Sequence, residues 1–131
     1  MEKAMKEIIQ TPHAPAAVGP YSQGIKVTCE TTIYCSGQIA LDPQSGKLTG
    51  VTAAEQAEQV LRNIQSILLA GGADMKNVVK TTIFLTNITD FTSVNEVYAK
   101  YFTLDMPARV TVEVGRLPKE AKIMIEAVAV I

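Results

Sequence analysis

Pro107-Ala108-Arg109-Val110-Thr111-Val112-Glu113-Val114 sets a permanently charged side chain inside a run that otherwise reads as a buried strand. A guanidinium keeps its proton at any physiological pH, so burying it among valines is costly unless an anion meets it. The planar fork suits a carboxylate, through two parallel hydrogen bonds. That carboxylate belongs either to the protein, with Glu113 and Glu126 as candidates, or to a ligand. The period of two puts Arg109, Thr111 and Glu113 on one face of the strand and Ala108, Val110, Val112 and Val114 on the other. Taking the valines as the side packed on helices, Arg109 is expected on the open side of the sheet.

Working outward, Lys122 to Val130 reads as a last strand, separated from the first by Arg116-Leu117-Pro118-Lys119. It is apolar on both faces: Ile123, Ile125, Ala127 and Ala129 alternate with Met124, Val128 and Val130. Upstream, Val78 to Thr86 is rich in β-branched residues and reads as a central strand. Between these lies a helix from about Asp90, a candidate N-cap, to Phe102, burying Phe91, Val94, Val97, Tyr98 and Tyr101. An earlier helix opens on Thr52-Ala53-Ala54-Glu55, which has capping-box spacing, and carries Ala57, Val60, Leu61, Ile64, Ile67 and Leu68 at three-to-four intervals. Gly71-Gly72 ends it.

The N-terminal third reads as a strand at Lys6 to Gln10, a Pro-rich loop from Thr11 to Gln23, and a hairpin pairing Gly24 to Val27 with Thr32 to Ser36. In that hairpin Cys29 lies nearest Thr32, so Cys29 and Cys35 are not partners. The order β-β-β-α-β-α-β-β predicts one α+β domain over residues 1–131, a mixed β-sheet with both helices packed on one face. The other face would then be a bare apolar surface, which predicts an oligomer closed through the open sheet face, cyclic in form. The alternative is a cover formed by the N-terminal loop.

Composition narrows the function. With 131 residues, 47% apolar and 19% charged, the chain is long enough for a core and shows no low-complexity tract. A net charge of −1 argues against electrostatically driven nucleic-acid binding. No apolar run reaches the ~20 residues needed to span a bilayer, and two cysteines make no disulfide framework or metal motif. The expectation is a soluble cytoplasmic protein without metal, membrane or nucleic-acid partner. The only histidine, His13, sits in the Pro-rich loop and is expected exposed. Tyr21 after Gly19-Pro20 could fold over a cleft, but a packed loop aromatic is the favoured reading; Ser36 ends a strand before Gly37, where a turn cap explains it equally well; Asn95 lies among apolar helix neighbours and reads as a buried hydrogen-bonding amide.

His13-Ala14-Pro15-Ala16-Ala17-Val18-Gly19-Pro20-Tyr21-Ser22-Gln23, Ser36-Gly37-Gln38-Ile39, Val79-Lys80-Thr81-Thr82 and the Pro107–Lys119 and Ile125-Glu126-Ala127 segments together resemble the Rid family, also called YjgF. The resemblance runs in order over roughly residues 8–131. It implies a chorismate-mutase-like fold, a homotrimer with clefts between subunits, and hydrolytic deamination of 2-aminoacrylate and 2-iminobutyrate to 2-keto acids and ammonia without a cofactor. It also implies that Arg109 pairs with the substrate carboxylate, that Tyr21, Ser36 and Asn95 line the cleft, and that the backbone at Thr111 contacts substrate.

The departure is Met124, where the deaminase branch usually holds a water-activating glutamate. A thioether cannot take a proton, and general acid–base help is typically worth about 10²–10⁴-fold. Glu126, on the same strand face and about 6.6 Å away, could substitute. A non-catalytic trimer binding small carboxylates in a regulatory role is the alternative reading. Older family labels mention inhibition of translation and RNA cleavage, which the acidic charge and single histidine disfavour.

Overall fold

The computed structural model describes residues 4–131. Six strands and two helices follow the expected order: β1 (Met5–Ile9), β2 (Gly24–Thr28), β3 (Thr32–Gln38), α1 (Ala53–Ala70), β4 (Val78–Leu85), α2 (Phe91–Tyr101), β5 (Ala108–Glu113) and β6 (Ile123–Val130). They make two sheets rather than one. The β1 and β2 strands pair antiparallel by themselves, and the main sheet has the order β3-β6-β4-β5. The expected β2–β3 hairpin is therefore absent: β2 turns back onto β1, and β3 pairs with β6. Local turn chemistry does position Cys29, whose Sγ lies 3.8 Å from Thr32 Oγ1, but strand choice is settled by partners far along the chain.

The core forms where α1 and α2 cover one face of this sheet. Thr52 caps α1 by accepting from Glu55 N while the Glu55 side chain accepts from Thr52 N, so the first turn's loose donors are used. Ala57, Val60, Leu61, Ile64 and Leu68 then line one stripe and are fully buried. Ile67, expected in that stripe, lies outside it and is exposed. Gly71 N donates back to Ile67 and Leu68 carbonyls and closes the helix. Gln56 is the buried polar exception, and both ends of its amide are paired: Nε2 donates to Gly50 O at 3.2 Å, and Oε1 accepts from Lys122 N at 2.8 Å.

The start of α2 differs from expectation. Asp90 makes no capping bond, because a 3-10 turn over Ile88–Asp90 runs straight into the helix and Asn87 caps that turn at Thr89 N. Only Val94 and Tyr98 of α2 are fully buried, while Phe91 stays partly open.

Strand register decides which side chains face the helices. Arg109 pairs across with Thr81, and Thr81 with Ala127; Thr111 pairs with Ile83, and Ile83 with Ile125. Residues directly opposite share a sheet face, and Thr81, Ile83, Ile125 and Ala127 are all buried beneath the helices. Arg109 and Thr111 therefore face α2, which corrects the expectation that they face the open side. The valines of β5 lie on the open face instead, with Val110 47% and Val112 38% exposed. There they join two rows, Val110-Thr82-Glu126 and Val112-Phe84-Met124. Tyr34 on β3, opposite Val128, continues this surface and is 80% exposed. The N-terminal loop does not cover it; that loop is tied to the residues leading into β5, where Ser22 N donates to Pro107 O and Ser22 Oγ to Met106 O.

Candidate functional site

Phe91, Asn95 and Tyr98 stand at i, i+4 and i+7 on α2, so one helix face presents two rings and an amide toward the edge strand β5. Arg109 meets all three. Its NH1 donates to Asn95 Oδ1 at 2.7 Å, and its guanidinium carbon lies 5.1 Å from the Tyr98 ring centre and 5.4 Å from that of Phe91. The loop supplies a third ring, Tyr21, also at 5.4 Å. Each distance is within the reach of a cation–π contact.

Two glycine-and-amide features bring Tyr21 there. A Cβ at Gly19 would lie 3.6 Å from Arg109 NH2 and 3.7 Å from the Tyr21 ring, so the loop backbone already packs closely over the guanidinium. Gln23 holds the loop's base: Oε1 accepts from Thr11 N at 2.7 Å, and Nε2 donates to the Thr11, Ala14 and Pro15 carbonyls.

The electrostatics are unusual for a half-buried cation. Burial draws the Arg109 pKa below its ordinary value, against smaller opposing contributions from Tyr98 and Tyr21. Among the described residues no carboxylate forms an ion pair with it. Glu113, one candidate partner, instead accepts from Ile88 N at 2.9 Å, and Glu126 lies on the other face of the sheet. The intramolecular salt bridge that would have explained Arg109 structurally is therefore not formed. Beneath it, Tyr98 hydroxyl and Thr81 Oγ1 share a buried 2.7 Å hydrogen bond, and burial pushes the Tyr98 pKa up to about 12. Thr111 Oγ1, two residues along the same strand face, is buried without a hydrogen-bond partner among the described residues.

The remaining expected site residues gather elsewhere. Ser36 and Gly37 sit in a bulge of β3, between the pairs Cys35–Ala127 and Gln38–Ile125. Met124 lies against that bulge: a Cβ at Gly37 would stand 2.7 Å from its sulfur. Glu126 is exposed on the same face. In the order β3-β6-β4-β5, Ser36 and Gly37 on β3 are three strand spacings, roughly 14 Å, from the Arg109 strand, and Met124 and Glu126 on β6 are two, roughly 10 Å, and on the opposite face. Within one chain, Arg109, Tyr21, Asn95 and Thr111 are brought together; Ser36, Met124 and Glu126 are not brought to them. His13 is exposed in the loop.

Sequence reasoning missed Phe91 and Tyr98 as members of the Arg109 site, treating them only as core. The 91-95-98 spacing was the available signal. Cys35 is buried with its thiol pKa pushed up by desolvation, so it makes a poor nucleophile. Among the described residues no group of three or more His, Cys, Asp or Glu could hold a metal ion, and no helix is long and apolar enough to cross a membrane.

Comparison with known proteins agrees with this frame. Residues 11–131 match the family described as endoribonuclease L-PSP. A human protein named 2-iminobutanoate/2-iminopropanoate deaminase is 49% identical over 130 residues, 99% of this chain and 93% of its own length. Among solved structures, a putative endoribonuclease from Thermotoga maritima superposes with a TM-score of 0.75 at 46% identity, covering 97% of this chain and 98% of that one. The E. coli protein TdcF, crystallised with bound serine, gives a TM-score of 0.72 at 39% identity, covering 95% and 98%.

Proposed function

The chain belongs to the endoribonuclease L-PSP family, the Rid or YjgF family, and on that premise we propose that it hydrolytically deaminates reactive 2-imino and 2-enamino acids to 2-keto acids and ammonia. The observation that carries this reading is Arg109: a half-buried guanidinium with an amide and three rings around it and no carboxylate of its own chain among the described residues. Such a cation is completed by a ligand carboxylate, which every 2-imino acid carries. Being held in place beforehand, it fixes the substrate without a reorganisation cost.

The reaction needs a water and little else. Water oxygen adds to the imine carbon while one water proton goes to nitrogen; the hydroxyl proton of the resulting carbinolamine then moves to nitrogen as the C–N bond breaks, releasing ammonia and leaving the ketone. An enamine enters the same route after its carbon takes a proton. The chain works in this reading as a homotrimer of chorismate-mutase-like architecture, in the cytoplasm, with no cofactor. The apolar rows of Val110, Val112, Phe84 and Val128 would be buried between copies, and the Ser36–Gly37 bulge with Met124 and Glu126 of one copy would complete the Arg109 edge of another. Glu126 would then be the carboxylate available to position or deprotonate the water, with Met124 an apolar wall beside it.

Adding purified protein to a threonine dehydratase reaction should speed 2-ketobutyrate release from the iminobutyrate intermediate. No acceleration over buffer at micromolar protein would sink the proposal. One observation favours a second reading, a non-catalytic carboxylate-binding regulator: Met124 puts a thioether where proton transfer would be useful. Saturable binding of 2-ketobutyrate that is lost in Arg109→Ala, with no turnover by the wild type, would select it. RNA cleavage is disfavoured, since the net charge is −1 and the one histidine stands exposed in the loop.

A further inference from the structure

Asn95 occupies a place where electrostatics alone would put an acid. Its Oδ1 takes a 2.7 Å hydrogen bond from a half-buried guanidinium that has no anionic partner among the described residues. An aspartate there would have nearly the same shape and would form a charge-assisted bond, roughly twice as strong as a neutral one. The same bond would also neutralise Arg109. An amide orients the guanidinium and leaves its charge unspent.

The geometry assigns Asn95 the role of a charge-neutral positioning residue for Arg109. Arginine has five N–H donors in a rigid fork, and Asn95 takes one at NH1. Tyr98, Phe91 and Tyr21 lie around the cation as rings rather than as anionic acceptors, and Gly19 brings only backbone near NH2. The edge formed by Nε and NH2 is left as the fork for a bidentate carboxylate. Asn95 itself is turned toward NH1, so it acts through Arg109 rather than on the substrate. The helix repeat explains why one element can do this: Asn95 lies between Phe91 and Tyr98 on the face of α2 that covers β5.

This inference rests on the reading of Arg109 as the carboxylate anchor, and the test separates the two. Binding of 2-ketobutyrate would be titrated calorimetrically to wild type, Arg109→Ala, Asn95→Asp and Asn95→Ala, with thermal unfolding and steady-state kinetics on 2-iminobutyrate alongside. Asn95→Asp should keep or raise the melting temperature yet weaken ketobutyrate binding about 30- to 100-fold, because the new carboxylate occupies the cation. The loss should fall on KM more than on kcat. Asn95→Ala should weaken binding only about 3- to 10-fold, since the guanidinium stays charged but loses its alignment. If Arg109→Ala abolishes binding while Asn95→Asp binds like wild type, the anchor stands and the role of Asn95 is overturned. If Arg109→Ala binds normally, the anchor itself is wrong and the role falls with it.

Discussion

At the β5 edge of the sheet, Arg109 is gripped by an amide and three rings on the helix-covered face; toward the β3 edge, Ser36 and Gly37 form a bulge, with Met124 of β6 packed against it and Glu126 exposed on the open face. The first region is finished within one chain. The second has its backbone shape but no cover. In the trimeric reading proposed above, the two differ as a preformed binding half differs from a half completed by a neighbour. The rows of Val110, Val112, Phe84 and Val128 running between them on the open face are the means by which the neighbour would arrive.

The largest effect is expected from preventing that arrival. Val110→Asp puts a charge on the open face at the β5 edge, across from Thr82 and next to the Val112–Phe84 pair, where burial would cost several kcal/mol per copy. Sedimentation should then show single chains, and deaminase activity should fall to background although the Arg109 region is untouched. A variant that stays assembled and active would mean the open face is not the joining surface. Next in size, Arg109→Ala should leave assembly intact and lower kcat/KM by about 10²–10³-fold, in line with the 2–5 kcal/mol lost when one member of a buried charged pair is truncated. Stopped kinetics on 2-iminobutyrate would read it.

How legible this was in the sequence depends on the range of the interactions involved. Strands, helices and their order could be read from local periodicity, and α1 from its Thr52–Glu55 capping box. The β2–β3 hairpin could not be judged that way, because β3 finds its partner at β6, some ninety residues on, and nothing local forbids either pairing. Arg109 failed for a related reason. Alternation on β5 separates Arg109 and Thr111 from Val110 and Val112, but it does not say which set meets the helices. The choice is made by the parallel register with β4, which ties Arg109 to the buried Thr81. Valine-rich faces invite assignment to the core, and here they mark the surface left open. Motifs singled out Arg109, Tyr21 and Asn95, which the fold brings together; their packing against Phe91 and Tyr98 needed the fold.

Met124 sharpens the comparison from the unfinished side. Met124→Glu should raise kcat on the order of 10²-fold if water activation limits the reaction, without changing ketobutyrate affinity, which belongs to the Arg109 side. An unchanged kcat would mean that Glu126 or a bound water network already suffices. On the finished side, Tyr98 provides a pH signature. It keeps its proton in the fold to about pH 12, whereas an unfolded tyrosine releases it near 10.0, so its stabilising share is complete below pH 10 and is lost as pH climbs through 12. Urea unfolding at pH 9, 10.5 and 11.5 should show up to about 2 kcal/mol lost over this window, flattened in Tyr98→Phe.

The smallest effect tests whether even the finished half keeps one bond in reserve. Thr111 Oγ1 is buried on the Arg109 face with no partner among the described residues, although a threonine hydroxyl can donate and accept. Ile83 lies directly across on β4 and offers nothing polar. An unpaired buried hydroxyl costs about 1–3 kcal/mol, and valine has nearly the same shape without it. Thr111→Val should therefore stabilise the chain by about 1 kcal/mol in urea denaturation. If the hydroxyl is kept for the substrate or its water, the same variant should raise KM for 2-iminobutyrate a few-fold while it gains stability. Opposite signs in the two measurements would place Thr111 with Arg109 as part of the binding half. A loss of stability would show instead that the hydroxyl already has a partner in the assembled protein.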